Sequence, residues 1–336
     1  MTTTLSPTTA NLIVFLSDRI THGDSEIFVM NADGTEVRQL AEEHVDGSGP
    51  KWSPDGKLIA FVGPGRPVVD PEIFVMNADG TEMRQLTDND SGDFSPAWSP
   101  DGKHIAFTRG DGDYEVFVMN VDGTEVHQLT DNALLDWNDE LAWSPDGKHI
   151  AFTSSRDGDR EIFVMNPDGT EIRQLTDNDG VDYFSAWSPD GKHIAFISSS
   201  DGDREIFVMN FDGTEVRQLT DYDSGDDSAR WPPDDPAWSP DGRHIAFTSG
   251  VHLGVEIFVM NADGTEVRQL TAYDSGDDSG DDGPTWAPKE PAWSPDGRHI
   301  AFTSGEHPGE EIFVMNADGT DAYSTGQEGW APSWGG

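Results

Sequence analysis

One segment is repeated along almost the whole chain, and its period constrains the fold more than any other feature. A complete copy, AWSPDGKHIAFTSSRDGDREIFVMNPDGTEIRQLTDN, occupies residues 142–178. Successive copies lie 43 to 55 residues apart. The WSPDG core begins at Trp52, Trp98, Trp143, Trp187, Trp238 and Trp293, and the EIFVMN-like core ends at Asn31, Asn77, Asn120, Asn166, Asn210, Asn261 and Asn316. A period of this size without helical spacing predicts an all-β propeller whose repeats are four-stranded blades.

The apolar runs within each repeat predict strands that are buried on both faces. In EIFVM, Ile162 and Val164 point to one face of the sheet, and Phe163 and Met165 point to the other. A propeller blade lies between two neighbouring blades, so both of its faces are covered. The outer segment EIRQLT alternates more and is expected to be half exposed.

Turn residues divide each repeat into four strands. In WSPDGK, Pro145 and Asp146 suit the central positions of a type I turn, and Gly147 supplies the left-handed residue that closes the hairpin. The NPDGT segment repeats this pattern after the third strand. The loop between the second and third strands is longer.

The sequence WSPDGKHIAFTS followed by EIFVMNxDGTxxRQLT resembles the β-propeller repeat of TolB-type proteins, which are relatives of the WD-repeat propellers. The resemblance implies an antiparallel propeller along almost the entire chain. Family members include periplasmic scaffold proteins and the propeller domains of serine peptidases. A periplasmic or extracellular location is therefore expected, but the repeat does not select one function.

The two ends of the chain are predicted to share one blade. NLIVFLS at residues 11–17 aligns with the second strand of other repeats, and GWAPSWGG at the C-terminal end carries Pro332 and Trp334 at first-strand positions. We therefore expect seven blades in a single domain over residues 11–336, with blade one formed by 11–41 and 329–336. Residues 1–10 are expected to be a disordered tail, without signal-peptide or transmembrane character.

Composition narrows the functional classes. The net charge of −44 disfavours binding to nucleic acid or insertion into anionic membranes, and it favours cations or basic partners. The chain has no cysteine, and it lacks the G-x-S-x-G and H-E-x-x-H motifs. These features predict a monomeric, non-enzymatic protein, although carboxylate chemistry in the central channel remains an alternative.

Loop variation predicts the binding face. The WSPDG and NxDGT turns share one end of every blade, which we call the turn rim. The loops between second and third strands and the loops between blades share the other end, the variable rim. Tryptophans outside the repeat positions all lie in inter-blade loops, at Trp137, Trp231, Trp286 and Trp330. They are predicted to contact a ligand or to cover blade junctions.

The expected ligand is a protein partner bound at the variable rim. A glycan is the alternative, because Trp137 could stack on a sugar while Asn138 and Asp139 bond its hydroxyls. A second alternative is an amplified or engineered repeat without an evolved ligand, since residues 236–250 and 291–305 are identical.

Acidic clusters on the variable rim predict a possible Ca²⁺ or Mg²⁺ site, because hard cations prefer carboxylate oxygens. The spacing does not match an EF-hand, and a solvated acidic surface is the alternative. The candidate ligands are Asp88, Asp90, Asp93, Asp221, Asp223, Asp226, Asp274 and Asp277. The recurring histidines (His104, His149, His193, His244 and His299) are expected to be structural, because each occupies a separate blade.

Overall fold

The computed structural model describes residues 11–19, 25–41, 49–65, 70–110, 113–131, 141–155, 158–200, 202–221, 233–251, 254–272, 288–305 and 309–335. Within these ranges the chain forms seven four-stranded antiparallel sheets, which are the blades of one propeller. The predicted N-terminal tail, residues 1–10, lies outside the described ranges. No helix in the described part of the chain is long and apolar enough to span a membrane.

Blades one to three contain the following strands, numbered in chain order: β1 (Leu12–Ser17), β2 (Glu26–Asn31), β3 (Arg38–Ala41); β4 (Lys51–Trp52), β5 (Leu58–Pro64), β6 (Pro71–Asn77), β7 (Arg84–Gln85); and β8 (Gly92–Trp98), β9 (His104–Gly110), β10 (Glu115–Asn120), β11 (His127–Gln128). Blades four and five contain β12 (Leu141–Trp143), β13 (Ile150–Ser154), β14 (Glu161–Met165), β15 (Arg173–Gln174); and β16 (Asp182–Trp187), β17 (His193–Ser198), β18 (Glu205–Asn210), β19 (Arg217–Gln218). Blades six and seven contain β20 (Asp234–Trp238), β21 (His244–Val251), β22 (Gly254–Asn261), β23 (Arg268–Gln269); and β24 (Lys289–Trp293), β25 (His299–Ser304), β26 (Glu311–Asn316), β27 (Tyr323–Glu328). The last strand is β28 (Trp330–Trp334).

The predicted closure of the ring is confirmed. Strand β28 pairs antiparallel with β1, so blade one has the order β28-β1-β2-β3. Ile13 lies opposite Trp334, and Leu16 lies opposite Trp330. The N-terminal strand β1 is thereby covered along its inner edge by the C-terminal end of the chain, which removes an unpaired sheet edge.

Each blade buries both of its faces, as the apolar pattern predicted. In blade four, Phe163 and Met165 pack with residues of blade three, including Val116. Ile162 and Val164 pack on the opposite side with residues of blade five. The core is therefore a circle of inter-blade layers, and no blade is expected to be stable by itself. The outer strand is shorter than predicted, because it has two residues in blades two to six.

The turns follow the sequence prediction with one addition. Gly147 has a φ of 70° and donates its N–H to Ser144 at 2.8 Å. In the NPDGT turn, a Cβ at Gly169 would lie 2.8 Å from the carbonyl oxygen of Leu129 in the preceding blade, so glycine permits close packing there. The residue after the threonine also has a positive φ in every blade, which the sequence analysis did not predict. These residues are Glu36, Glu82, Glu125, Glu171, Glu215, Glu266 and Asp321.

The repeat tryptophans connect the inner strands of neighbouring blades. In six of the seven, the indole Nε1 donates to a backbone carbonyl in the preceding blade, at 2.9 Å from Trp334 to Ala292 and at 3.2 Å from Trp52 to Ser333. Equivalent bonds join Trp98 to Lys51, Trp143 to Ala97, Trp187 to Ala142 and Trp293 to Ala237. At the remaining junction, Trp238 Nε1 is buried without a hydrogen-bond partner.

This difference between blades allows the indole bond to be tested. Trp293→Phe removes the 3.0 Å bond to Ala237. Trp238→Phe removes a similar ring volume but no hydrogen bond. We expect Trp293→Phe to lower the free energy of unfolding by about 1 kcal/mol more than Trp238→Phe, measured by denaturant unfolding. An equal or larger loss in Trp238→Phe would contradict a stabilising role for the indole bonds.

Candidate functional site

The structure describes part of the variable rim on which the candidate binding residues were predicted. Trp330, Asp88, Asp90, Asp93 and Asp221 are within the described residues. The remaining candidates lie outside them: Trp137, Asn138, Asp139, Trp231, Trp286, Asp223, Asp226, Asp274 and Asp277. Ligand and metal binding by this second group stays a prediction.

Trp330 was predicted to lie in an inter-blade loop, but it is the first residue of strand β28 and is partly buried. It packs with Trp52 against the hydrophobic core between blades one and two. This position agrees with the expectation that an inter-blade tryptophan can cover a blade junction. Contact between Trp330 and a ligand remains a prediction.

Asp93, one of the predicted metal ligands, has an intramolecular partner. Its side chain is fully buried, and its two oxygens accept from Arg109 Nε at 2.6 Å and Nη2 at 2.9 Å. This bidentate pair uses both carboxylate oxygens. Asp88, Asp90 and Asp221 are exposed. Within the described ranges, no three His, Asp or Glu side chains are grouped so that they could hold a metal ion.

A row of glutamates lies on the variable rim, at the start of the third strand, and five of the seven are buried: Glu26, Glu72, Glu161, Glu205 and Glu256. Sequence analysis missed these residues, although a glutamate precedes the apolar run in all seven copies: Glu26, Glu72, Glu115, Glu161, Glu205, Glu256 and Glu311. Glu72 is 1% exposed and accepts from the hydroxyl of Thr87 at 2.5 Å. That hydroxyl also accepts from the backbone N–H of Ile73 at 2.9 Å. The glutamate therefore anchors the outer strand to the third strand.

Two inter-blade loops bring a second carboxylate to this glutamate. The loops share the spacing T-D-N-D-x-x-D, at residues 87–93 and 176–182. In the first, the Asn89 backbone N–H donates to Glu72 at 2.9 Å and the Asn89 side chain donates to Asp93 at 3.0 Å. The asparagine thus joins the glutamate of one blade to the aspartate of the next.

The second loop repeats these contacts. The Asn178 backbone N–H donates to Glu161 at 3.1 Å, and its side chain donates to Asp182 at 2.8 Å. Glu161 is 1% exposed and Asp182 is fully buried. The junctions between blades two and three and between blades four and five therefore carry matched pairs of buried acids.

Burial changes the protonation of both glutamates. Desolvation raises the pKa of Glu72 to about 7, and the nearby Asp93 adds to this effect, whereas hydrogen bonds from Thr87 and Asn89 oppose it. The pKa of Glu161 is likewise raised to about 7 by burial, with Asp182 as the neighbouring acid. These groups can take up a proton near neutral pH.

Grooves also lie on the turn rim, where sequence analysis predicted no site. One groove has a volume of about 960 Å³ and lies between blades three and four. His104, His127, Trp143, Glu125 and Asp168 are among its lining residues. Similar grooves lie between blades five and six and between blades six and seven. Their mixed apolar and acidic walls suit a side chain with an apolar stem and a positive charge.

The histidines at the turn rim have structural contacts. The His104 ring stacks on Trp143 of the next blade, with ring centroids 6.4 Å apart, and its backbone N–H donates to Ser99 Oγ at 2.9 Å. His244 and His299 stack in the same way on Trp293 and Trp334. These contacts place the histidines beside the WSPDG turn, as expected, and repeat the interaction at separate junctions.

The family comparisons agree with this architecture. The model of the TolB beta propeller domain matches residues 133–235 and 234–334, which together exceed half of the chain. The model of the dipeptidyl peptidase IV N-terminal region matches residues 69–168. A 90-residue segment is 34% identical to the uncharacterized peptidase YuxL of Bacillus subtilis. That match covers 26% of this chain and 12% of the length of that peptidase.

Solved structures with different names share the fold. A putative TolB from Agrobacterium tumefaciens aligns with a TM-score of 0.57 and 24% identity, covering 76% of this chain and 86% of that one. An oligogalacturonate lyase from Vibrio parahaemolyticus aligns with a TM-score of 0.68 and 15% identity, covering 91% and 86%. At these identities the similarity shows the fold alone, and propellers with this fold include an enzyme.

The raised pKa of Glu72 predicts a pH dependence of stability. A folded-state pKa of about 7, above the ordinary value of 4.5, means that folding takes up a proton between these values. Stability contributed by the protonated acid is present below pH 4.5 and is lost as the pH rises through about 7. We expect the Glu72→Gln variant to lose less stability than the wild type as the pH rises, and to be more stable than the wild type at pH 8.

The melting temperatures of the wild type and of Glu72→Gln, measured in chelator-containing buffers from pH 4.5 to 8, test this prediction. Glu82→Gln, an exposed change in a turn of the same blade, is the control. A Glu72→Gln profile that is parallel to the wild-type profile throughout this range would contradict the prediction.

Proposed function

Since this chain belongs to the TolB beta propeller domain family, we propose that it is a non-enzymatic binding protein that engages a protein partner through its variable rim. The observation that carries the proposal is the contrast between a uniform framework and variable loops. Strands of every blade keep the same order, whereas the connections that join blades one to seven in sequence range from residues 86–91 to residues 270–288, and Gly329 alone separates β27 from β28. Variable loops on a rigid scaffold are typical of a binding surface.

Charge and aromatic content support a basic protein partner. The net charge of −44 favours association with positively charged surfaces. Trp137, Trp231 and Trp286 supply the kind of large aromatic side chain that often contributes most to interface affinity. The resemblance to periplasmic scaffold proteins supports a periplasmic or extracellular setting for this interaction.

The turn rim is the competing surface for such a partner. Several apolar side chains are exposed in or directly after the NxDGT turns: Met83, Val126, Phe211, Val216 and Val267. Val216 and Val267 are each 50% exposed. Exposed apolar side chains arranged around a rim also suit protein association, so the test must compare both faces.

A glycan is the second candidate ligand class. The structural similarity to a protein named as an oligogalacturonate lyase favours testing carbohydrates. Galacturonate polymers are anionic, however, and the strongly negative chain would repel them. Neutral sugars are therefore the better carbohydrate probes, with Trp137 as the stacking residue.

Site-specific cross-linking tests the proposed face. A photo-reactive phenylalanine is placed at residue 137, 231 or 286 on the variable rim, or at residue 121 or 211 on the turn rim. The cross-linked partner is identified from extracts of the source cells and then purified. We expect partner cross-links from the variable-rim positions and none from the turn-rim positions.

Affinity measurements with that purified partner give the energetic test. At least one of the variants Trp137→Ala, Trp231→Ala and Trp286→Ala should bind about 30-fold more weakly, which corresponds to about 2 kcal/mol. Each variant must melt near the wild-type temperature, because a tryptophan that covers a blade junction would lower stability instead. Loss of binding in Phe211→Ala with normal binding in all three tryptophan variants would contradict the variable-rim proposal. Binding of neutral sugars on a glycan array, with no protein cross-link, would replace it with the lectin function.

A further inference from the structure

The two matched acidic junctions differ at one position. At the junction between blades two and three, Asp93 lies directly opposite Arg109 in the neighbouring strand. At the junction between blades four and five, Asp182 lies directly opposite Ser198. The repeat therefore supplies a guanidinium ion to the first pair of acids and a neutral hydroxyl to the second.

Two carboxylate oxygens at the second junction have no hydrogen-bond donor, and Asp182 Oδ1 corresponds to the Asp93 oxygen that Arg109 Nε contacts in the first junction. Glu161 Oε2 and Asp182 Oδ1 are both buried and have no hydrogen-bond partner. In the first junction the corresponding acids are satisfied by Thr87, Asn89 and Arg109. When both acids are ionised, their acceptor oxygens cannot bond to each other, and burying them without a positive partner is costly.

Nearby positive side chains are engaged elsewhere. Arg204 lies over the Tyr183 ring at 4.8 Å and pairs with Asp234 of blade six at 3.6 Å. Arg160 lies over the same ring at 5.2 Å. Neither arginine bonds to the open oxygens of Glu161 or Asp182.

We propose that a calcium-sized cation binds at the junction between blades four and five, with Glu161 Oε2 and Asp182 Oδ1 as its protein carboxylate ligands. The cation takes the electrostatic place that the Arg109 guanidinium occupies in the matched junction. Calcium accepts irregular sets of carboxylate, backbone and water oxygens, whereas magnesium requires a near-octahedral set. Two buried acids and an adjacent loop therefore suit calcium better.

This location differs from the acidic clusters predicted from sequence. Neither Glu161 nor Asp182 belongs to those clusters, and both are buried at the start of their strands. A cation there would join the third strand of blade four to the inner strand of blade five. The expected consequence of binding is stabilisation of the propeller in proportion to calcium occupancy.

Three variants test the site at pH 8 in fixed high salt, where nonspecific screening is already large. Glu161→Gln keeps the shape of the side chain but supplies an amide donor toward Asp182. Ser198→Arg places a guanidinium where Arg109 lies in the matched junction. The stacked rings of Phe196 and Phe207 are available to support it, as Phe107 and Phe117 support Arg109. Glu72→Gln is the matched control.

Calcium chloride is titrated calorimetrically, and melting temperatures are measured with and without it. We expect Glu161→Gln and Ser198→Arg each to lose one bound calcium, or to bind it about tenfold more weakly, with loss of the associated rise in melting temperature. Glu72→Gln should retain the wild-type response.

The proposal would be overturned if both junction variants kept the wild-type stoichiometry and thermal response. It would also be overturned if the wild type showed no calcium response at pH 8, because a proton would then be the sole partner of the two acids. If the Ser198→Arg variant does not fold, the Glu161→Gln variant alone tests calcium binding at this junction, since it preserves side-chain volume.

Discussion

Contact between neighbouring blades is the constraint on which the whole structure depends. Each blade has two apolar faces and buries them only against the blades on either side. The repeat tryptophans add hydrogen bonds between the inner strands of neighbouring blades. The C-terminal strand takes part in this circle, because Trp334 donates to Ala292 and Ser333 accepts from Trp52. Because the favourable burial is shared between blades, stability belongs to the ring more than to any one repeat.

This arrangement separates structural positions from positions that can vary. The inner and middle strands are fixed by packing on both faces, and the turn-rim glycines are fixed by close approach to the preceding blade. The inter-blade connections differ in length from blade to blade, while the sheets keep the same strand order. Binding residues on these loops would be held in place by a framework that does not depend on their identity.

The same repetition shows how local chemistry can change on a constant backbone. Asp93 and Asp182 occupy matching places, but Arg109 faces the first and Ser198 faces the second. One residue in the second strand therefore decides whether a pair of buried acids has an internal cation. The first junction therefore serves as an internal reference for the second, on the same fold and in the same chain.

The strands, their two buried faces and the closing of the ring were predictable because they follow from short-range pattern and repeat period. The pairing of Asp93 with Arg109 was not, because it depends on the register between two neighbouring strands, β8 and β9, which the sequence pattern does not specify at this end of the blade. The buried glutamates had a visible signal, since Glu precedes every EIFVMN-like run. Glutamate is usually solvent-exposed because it is charged, however, so the sequence did not indicate that these side chains bond to the outer strand inside the blade. The positive φ at Glu171 and its counterparts likewise contradicts ordinary backbone preference and is imposed by the turn.

The stability of a chain lacking residues 329–336 tests the central role of ring closure most directly. The deletion removes β28 and exposes the edge of β1, together with apolar residues that pack against Trp334. We expect a large fall in the unfolding midpoint, or aggregation, in parallel denaturant titrations of the shortened and full-length chains. An unchanged midpoint with the same cooperativity would show that the stability of the blades does not depend on ring closure.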